Sequence, residues 1–317
     1  MLSQTQRSRV VAAVVGCSLT LAACGGGDDG EQASGAGKLA GTIQIDGSST
    51  VAPLSEAAAE GFQEEHEDVN VVVGTSGTGG GFEKFCAGET DVSDASRPIK
   101  EKEIAACKAN GITYEEITVA NDGLAVVVNK DNPITCLTVD QLKKIWEPGS
   151  TVDNFQDVDP SFPDLPLKLF GPGTDSGTFD YFTEAINGKE GASRTDYQPS
   201  EDDNVIVTGV QGAKGGLGYF GLSYVEENAQ SIKAVAVDGG SGCVEPSTET
   251  VLDGTYKPLG RPLFIYASTK TVQRPEGKAF LEYYVENSEE IAEQALYVPL
   301  SDKQKAESTA KITKLQG

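Results

Sequence analysis

Gly74-Thr75-Ser76-Gly77-Thr78-Gly79-Gly80-Gly81-Phe82 carries no charge. It stands between the apolar run Val71–Val73 and Phe82-Glu83-Lys84-Phe85, which reads as a helix. A glycine-rich turn between strand and helix leaves backbone N–H groups unpaired and aimed at one point. The helix N-terminus adds partial positive charge there, so the natural occupant is an anion. The Ser76-Gly77-Thr78 of this stretch returns as Ser176-Gly177-Thr178, opening a second expected helix from Thr178 to Asn187. Two anion-ready turns, far apart in the chain, suggest a ligand held between two lobes.

Outward from these turns, strands and helices alternate. Ile43 to Ile45 reads as a short strand ending in Gly47-Ser48-Ser49-Thr50. Pro53 then falls in the first turn of a helix whose buried stripe is Leu54, Ala57, Ala58 and Phe62. Gly123–Asn129 is a continuous apolar strand, as in a sheet covered on both faces. Thr138 caps a helix carrying Leu142, Ile145 and Trp146, with Trp146 assigned to the core. Residues 147–166 read as a surface excursion, 193–204 as loop and 238–261 as a loop-rich crossing. Pro262–Tyr266 reads as a further strand, and the C-terminus as helical with Phe280, Leu281, Tyr284 and Ile291 buried. The alternation predicts an α/β fold with mostly parallel sheets, whose ligand lies beyond the carboxyl ends of the strands, where the glycine turns fall.

The 317 residues carry a formal charge of −23. Arg7 and Arg9 precede the apolar run Val10–Ala23, which is too short for an ordinary transmembrane helix. The run ends in Leu21-Ala22-Ala23-Cys24, which resembles a bacterial lipobox. That implies a signal peptide over 1–23, lipidation of Cys24, and a flexible tether over 24–40. Removing the two arginines with the signal takes the charge from −23 to −25. Such a chain avoids nucleic acid and anionic lipid, and must hold any small anion by short-range dipoles and hydrogen bonds. Beyond Cys17 and Cys24 four cysteines remain, Cys86, Cys107, Cys136 and Cys243, an even number that favours disulfides with three connectivities open.

Enzyme chemistry finds little support. The glycine turn at 74–81 does not match GxGxxG in any frame, no GxxxxGK[ST] occurs, and there is no HExxH or CxxC pair, so no cofactor and no metal is expected. The lone histidine, His66, sits in the acidic run Glu64-Glu65-His66-Glu67-Asp68 and cannot serve a Ser-His-Asp device there.

The combination GSSTVAP, GTSGTGGGF, SDASRPI, DGLAVVVN, GTDSGTFDYF and GLGYFGLSY, spread over residues 41–300, resembles the phosphate-binding lipoproteins of bacterial high-affinity phosphate ABC transporters (PstS type). The resemblance implies a two-lobed periplasmic-binding-protein fold of type II with two crossing hinge strands, here Gly123–Asn129 and Pro262–Tyr266. Lobe one would be 41–120 plus 263–317, and lobe two 124–255. It also implies a monomer outside the cytoplasm, anchored by lipid to the cell membrane, that binds inorganic phosphate and delivers it to membrane permease subunits. The alternatives are another tetrahedral oxyanion, sulfate or molybdate, or a secreted enzyme of phosphate metabolism. Carried over by position, the ligand set is Thr50, Val51, Thr78, Asp94, Ser176, Gly177 and Thr178, to which Ser49 is added beside Thr50 and Ser76 as a neighbour that could substitute for Thr78. The family's arginine, four residues before the Ser-Gly-Thr serine, is Pro172 here, so Arg97 is expected to supply the positive charge. Asp94 is the expected acceptor of the phosphate proton, with Asp175 as the second candidate. The expected disulfides are Cys86–Cys107, across a short segment within lobe one, and Cys136–Cys243, tying the start of lobe two to the return near the hinge.

Overall fold

A computed structural model describes residues 38–317, apart from the side chains of Glu226 and Glu227. The signal segment, Cys17, Cys24 and the tether up to Gly37 lie outside the described residues.

The first part of the chain runs β1 (Gly41–Gly47), α1 (Ala52–Glu65), β2 (Val69–Gly74), α2 (Gly77–Ala87), β3 (Val92–Ala95), α3 (Glu101–Ala109) and the long β4 (Tyr114–Asn129). The middle adds β5 (Cys136–Thr138), α4 (Val139–Trp146), α5 (Phe155–Val158), β6 (Lys168–Pro172), α6 (Gly177–Asn187), β7 (Gln198–Ser200) and α7 (Asp203–Gly212). It continues with β8 (Gly216–Gly221), α8 (Ser223–Glu227), β9 (Ile232–Asp238), β10 (Cys243–Val244) and α9 (Thr248–Leu252). The return brings β11 (Gly260–Ser268), α10 (Thr269–Val272), α11 (Pro275–Glu286), α12 (Ser288–Gln294) and α13 (Asp302–Leu315).

The main path of the sheet is ordered β2-β1-β3-β11-β4-β8-β6-β7, with β9 also against β4 and both β5 and β10 against β9. It is mixed rather than mostly parallel. β1 runs parallel to β2 and β3, and β6 parallel to β7 and β8, but every pairing made by β4 and β11 is antiparallel. The reason is the connectivity: β4 carries the chain out of one half and β11 carries it back, so the two must run in opposite directions.

Each half has its own core. Ile43, Ile45, Leu54, Phe62, Ile117, Leu263, Ile265, Phe280 and Tyr284 gather on one face of the first half, under α1 and the C-terminal helices. Phe264 and Tyr266 of β11 turn to the opposite face, where α2 and α3 cover them with Phe82, Phe85, Cys86 and Cys107. This is the two-residue alternation of a strand buried on both sides. The second half closes on Leu124–Val128, Trp146, Phe182, Tyr219 and Val235. Trp146 is fully buried, with its ring edge-on to Phe182, Tyr197 and Tyr219.

The crossing lies elsewhere than expected. β4 pairs with β11 as far as Gly123 and with β8 from Leu124 onward. All of Gly260–Ser268 stays beside the first half of β4. Thus Gly123–Asn129 and Pro262–Tyr266 each lie within one half, and the passage between halves is at Asn121–Leu124 and Leu259–Pro262. Two segments read as loop also carry structure: α5 lies in the surface excursion with Phe155 buried, and β7 lies in 193–204.

The glycine run is not a turn. α2 begins at Gly77, so Gly79, Gly80 and Gly81 are helical. The strand-to-helix turn shrinks to Thr75 and Ser76. A Cβ on Gly81 would stand 2.5 Å from Gly47 Cα and 2.7 Å from the Asp46 carbonyl oxygen. Glycine lets the first turns of α2 lie directly on the carboxyl end of β1. Both expected disulfides are present, Cys86–Cys107 between α2 and α3 and Cys136–Cys243 between β5 and β10.

Candidate functional site

The strands of the first half deliver three segments to one place. Beyond β1, Ser48 donates its N–H to the carbonyl oxygen of Asp94 at 3.0 Å. The Ser48 carbonyl in turn receives the N–H groups of Val51 (3.1 Å) and Ala52 (3.0 Å), folding Ser48–Val51 into a tight turn before α1. The N–H groups of Ser49 and Thr50 meet no acceptor among the described residues. Beyond β2, Ser76 makes no capping bond to α2, so the first N–H groups of that helix stay open. Beyond β3, the Ser96 N–H donates to Thr78 Oγ1 at 3.3 Å, and the two hydroxyls are 3.1 Å apart.

From the second half, α6 meets this surface with its N-terminus. A Cβ on Gly177 would fall 2.8 Å from Thr50 Oγ1 and 3.1 Å from Thr50 Cα. The absence of a side chain at Gly177 is what lets the two halves come together here. Between them is a cavity of about 30 Å³, lined by Ser48, Ser49, Thr50, Gly77, Thr78, Ser96, Asp180, Tyr181, Glu184, Glu190 and Arg261. A single water needs about 10–15 Å³ on the same scale, so only a small ligand fits.

Of the residues expected from sequence, Ser49, Thr50 and Thr78 line this cavity. Ser176, Gly177 and Thr178 open the helix that closes it, with Ser176 Oγ accepting from the Thr178 N–H at 3.2 Å. The others are engaged elsewhere. The Val51 N–H closes the turn, and Ser76 gives its hydroxyl to Asp46, which also takes the Lys84 ammonium. Arg97 forms a two-point ion pair with Glu103 (2.9 and 2.8 Å) and lies over the Phe82 ring, so it neither lines the cavity nor pairs with Asp94. Asp175 is exposed and outside the lining.

Asp94 is fully buried behind the turn, facing α1, where Ser55 donates to its Oδ1 at 2.8 Å. Its Oδ2 has no partner. Burial pushes its carboxyl up to about 7, against the Ser55 hydrogen bond. Of the carboxylates that do line the cavity, Asp180, Glu184 and Glu190, the one in the first turn of α6 is Asp180. Burial, with Glu190 nearby, pushes it up to about 6, while Arg261 opposes the shift.

Arg261 is the one cation of the lining, and nothing in its neighbourhood of the sequence marks it. It stands in Gly260-Arg261-Pro262, far along the chain from every hydroxyl-rich turn. Its only local signal is a charge at the edge of an apolar strand. Among the described residues no group of three or more His, Cys, Asp or Glu is arranged to hold a metal ion.

A family model described as a PBP superfamily domain matches residues 32–288. Protein SphX of Synechococcus elongatus is 49% identical over 264 residues, 82% of this chain and 78% of that protein. The phosphate-binding protein PstS of Staphylococcus saprophyticus is 40% identical over 306 residues, 96% of this chain and 93% of that protein. Among solved structures, a possible phosphate binding protein from Planctomyces limnophilus superimposes with a TM-score of 0.85 at 47% identity, covering 88% of this chain and all of that one. The hydroxyl-rich turns, the two-core fold and these relatives agree: the chain belongs to the PstS phosphate-binding protein family within the PBP superfamily.

Proposed function

We propose that the protein captures inorganic phosphate in the cavity between its two halves and hands it to the permease subunits of an ABC transporter. The observation that carries this is the mixed lining. Hydroxyls, open N–H groups and one arginine face the same small space as Asp180, Glu184 and Glu190. A fully ionised oxyanion would be repelled by those carboxylates. Phosphate keeps at least one proton at neutral pH and can donate it to one of them, leaving its other oxygens to the donors. This favours phosphate over sulfate or molybdate, and it moves the role of proton acceptor from Asp94 and Asp175 to Asp180.

The donors are the Ser49 and Thr50 N–H groups, the Thr50 and Thr78 hydroxyls, and the N-termini of α2 and α6 at Gly77 and Gly177. A micromolar Kd needs roughly 8 kcal/mol, and charge-assisted hydrogen bonds contribute about 1.5–3 kcal/mol each, so a handful suffices after the cost of association. The protein works as a monomer outside the cytoplasm, held to the membrane through lipid on Cys24, and binds without turnover. Support for the anchor is the Leu21–Cys24 pattern. Isothermal titration of the purified protein against phosphate, sulfate and molybdate is the test, with phosphate binding at least about tenfold tighter than the others. No phosphate binding, or steady hydrolysis of a phosphoester, would overturn the proposal.

A further inference from the structure

Resting on that reading of the cavity, we propose that Arg261 is the cation that holds the anion, and that Asp122 and Tyr181 are positioning residues that assemble it as the two halves close. Pro172, where the second hydroxyl turn begins, offers no charge, and Arg97 is committed to Glu103. Arg261 instead stands at the passage between halves: its register partner is Asp122, beside the Gly260–Gly123 pair where β4 leaves β11.

Its guanidinium is held from three directions. Nη1 donates to the Ser96 carbonyl oxygen at 3.0 Å, from the first half. Nε and Nη2 each reach Asp122 Oδ2 at 3.3 Å, from the crossing strand. The Tyr181 ring of α6 lies 3.4 Å from Cζ, from the second half, and its hydroxyl is fixed on the Pro258 carbonyl oxygen at 2.7 Å.

These partners use three of the five N–H donors of a guanidinium, which leaves two for an anion in the cavity that Arg261 lines. Asp122 is 3% exposed and Tyr181 6%, so the holders are themselves set rigidly in the fold. The geometry has a mechanical consequence. Ser96 and Asp122 stay with Arg261 whether or not α6 is close, whereas the Tyr181 stack exists only when α6 lies against the hinge. A guanidinium stacked on an aromatic face is restrained in the plane it presents to oxyanions. Closure therefore completes the cation site, and an anion bound to the two free N–H groups favours closure in return.

The test is a double-mutant cycle on phosphate affinity, measured by titration calorimetry on the purified full chain. Arg261→Lys keeps the charge but loses the fork and is expected to weaken phosphate binding about thirtyfold, Asp122→Asn about tenfold. If Asp122 acts through Arg261, the double variant is expected within about threefold of Arg261→Lys alone, because the second change removes an effect already lost. Tyr181→Leu is expected to cost about tenfold while Tyr181→Phe, which keeps the ring, stays within about threefold of wild type. Losses that add in the double variant would mean that Asp122 acts independently of the arginine, and would overturn the positioning role. Wild-type affinity in Arg261→Lys would overturn the whole assignment while leaving phosphate binding intact. A wild-type protein that binds no phosphate would instead overturn the functional reading and this inference with it. Should Asp122→Asn fail to fold, the Tyr181 pair still decides, since equal affinities in the two variants would refute the stack.

Discussion

Replacing Gly81 and Gly79 separately with alanine distinguishes a helix seated on strand ends from a flexible anion-cradling loop. At Gly81 the new Cβ would lie 2.5 Å from Gly47 Cα, 2.7 Å from the Asp46 carbonyl oxygen and 2.8 Å from Ser93 Oγ. Carbon atoms settle at about 3.5–4.0 Å, so α2 must move back by on the order of 1 Å. Two of the three obstructing atoms are backbone and cannot swing aside. Overpacking of this kind costs about 1–3 kcal/mol, and the better helix propensity of alanine returns about 1 kcal/mol, leaving a net loss of up to roughly 2 kcal/mol. At Gly79 the only neighbour of the new Cβ is Arg97 Nη2 at 3.9 Å, an ordinary contact. The propensity gain is then uncompensated, and Gly79→Ala is expected to stabilise by up to about 1 kcal/mol. For a chain of this size about 1 kcal/mol moves Tm by roughly 2–4 °C, so Gly79→Ala is expected to melt above wild type and Gly81→Ala at or below it, up to about 12 °C apart. Urea unfolding monitored by circular dichroism gives the same ordering independently. If both variants are destabilised alike, the run is a strained loop needing glycine throughout, and the seated-helix account is wrong.

Three further outcomes are expected. Asp94 holds its proton up to about pH 7 in the fold, against an ordinary value of 3.8. Between those values the folded chain binds a proton that the unfolded chain has lost, so stability falls as pH rises from about 4 to 7. Asp94→Asn should remove about 2–4 kcal/mol of that fall, seen as a flatter urea-midpoint profile; an unchanged profile refutes the buried-acid account. Gly177→Ala, whose Cβ would press on Thr50, should weaken phosphate about tenfold with little change in the melting of the ligand-free chain, and unaltered affinity would remove this contact from closure. Replacing both Cys136 and Cys243 with serine opens a bridge spanning 107 residues of sequence. Loop entropy sets the loss at no more than about 5 kcal/mol, and loss of less than about 1 kcal/mol in urea unfolding would show that the unfolded chain gains nothing from release of the bridge.

Much of this molecule is legible in its neighbours along the chain. The apolar run Pro262–Tyr266, the cap at Thr138, the proline start of α1 and the apolar run before Asn129 are local patterns, and each specifies an element through a few adjacent side chains and backbone groups. The same locality explains why the hydroxyl turns at Ser49-Thr50, Thr78 and Ser176–Thr178 stood out: they lie at strand-to-helix junctions, where backbone donors open by geometry alone. Which of those groups meet is another matter. Arg97 is spent on Glu103 because α3 folds back beside it, and Asp94 turns to Ser55 because the pleat of β3 points it toward α1. The glycine run looks like a turn until β1 is placed beneath it, when close approach to Gly47 becomes the reason for Gly81. Arg261 is reached only through the crossing of β4 and β11, which sets it against Asp122, Ser96 and Tyr181 at once. Local sequence determines the elements and the donors at their ends because those depend on bonds between near neighbours. The cation and the acid that complete the cavity depend on contacts across the whole chain, and only the tertiary structure decides them.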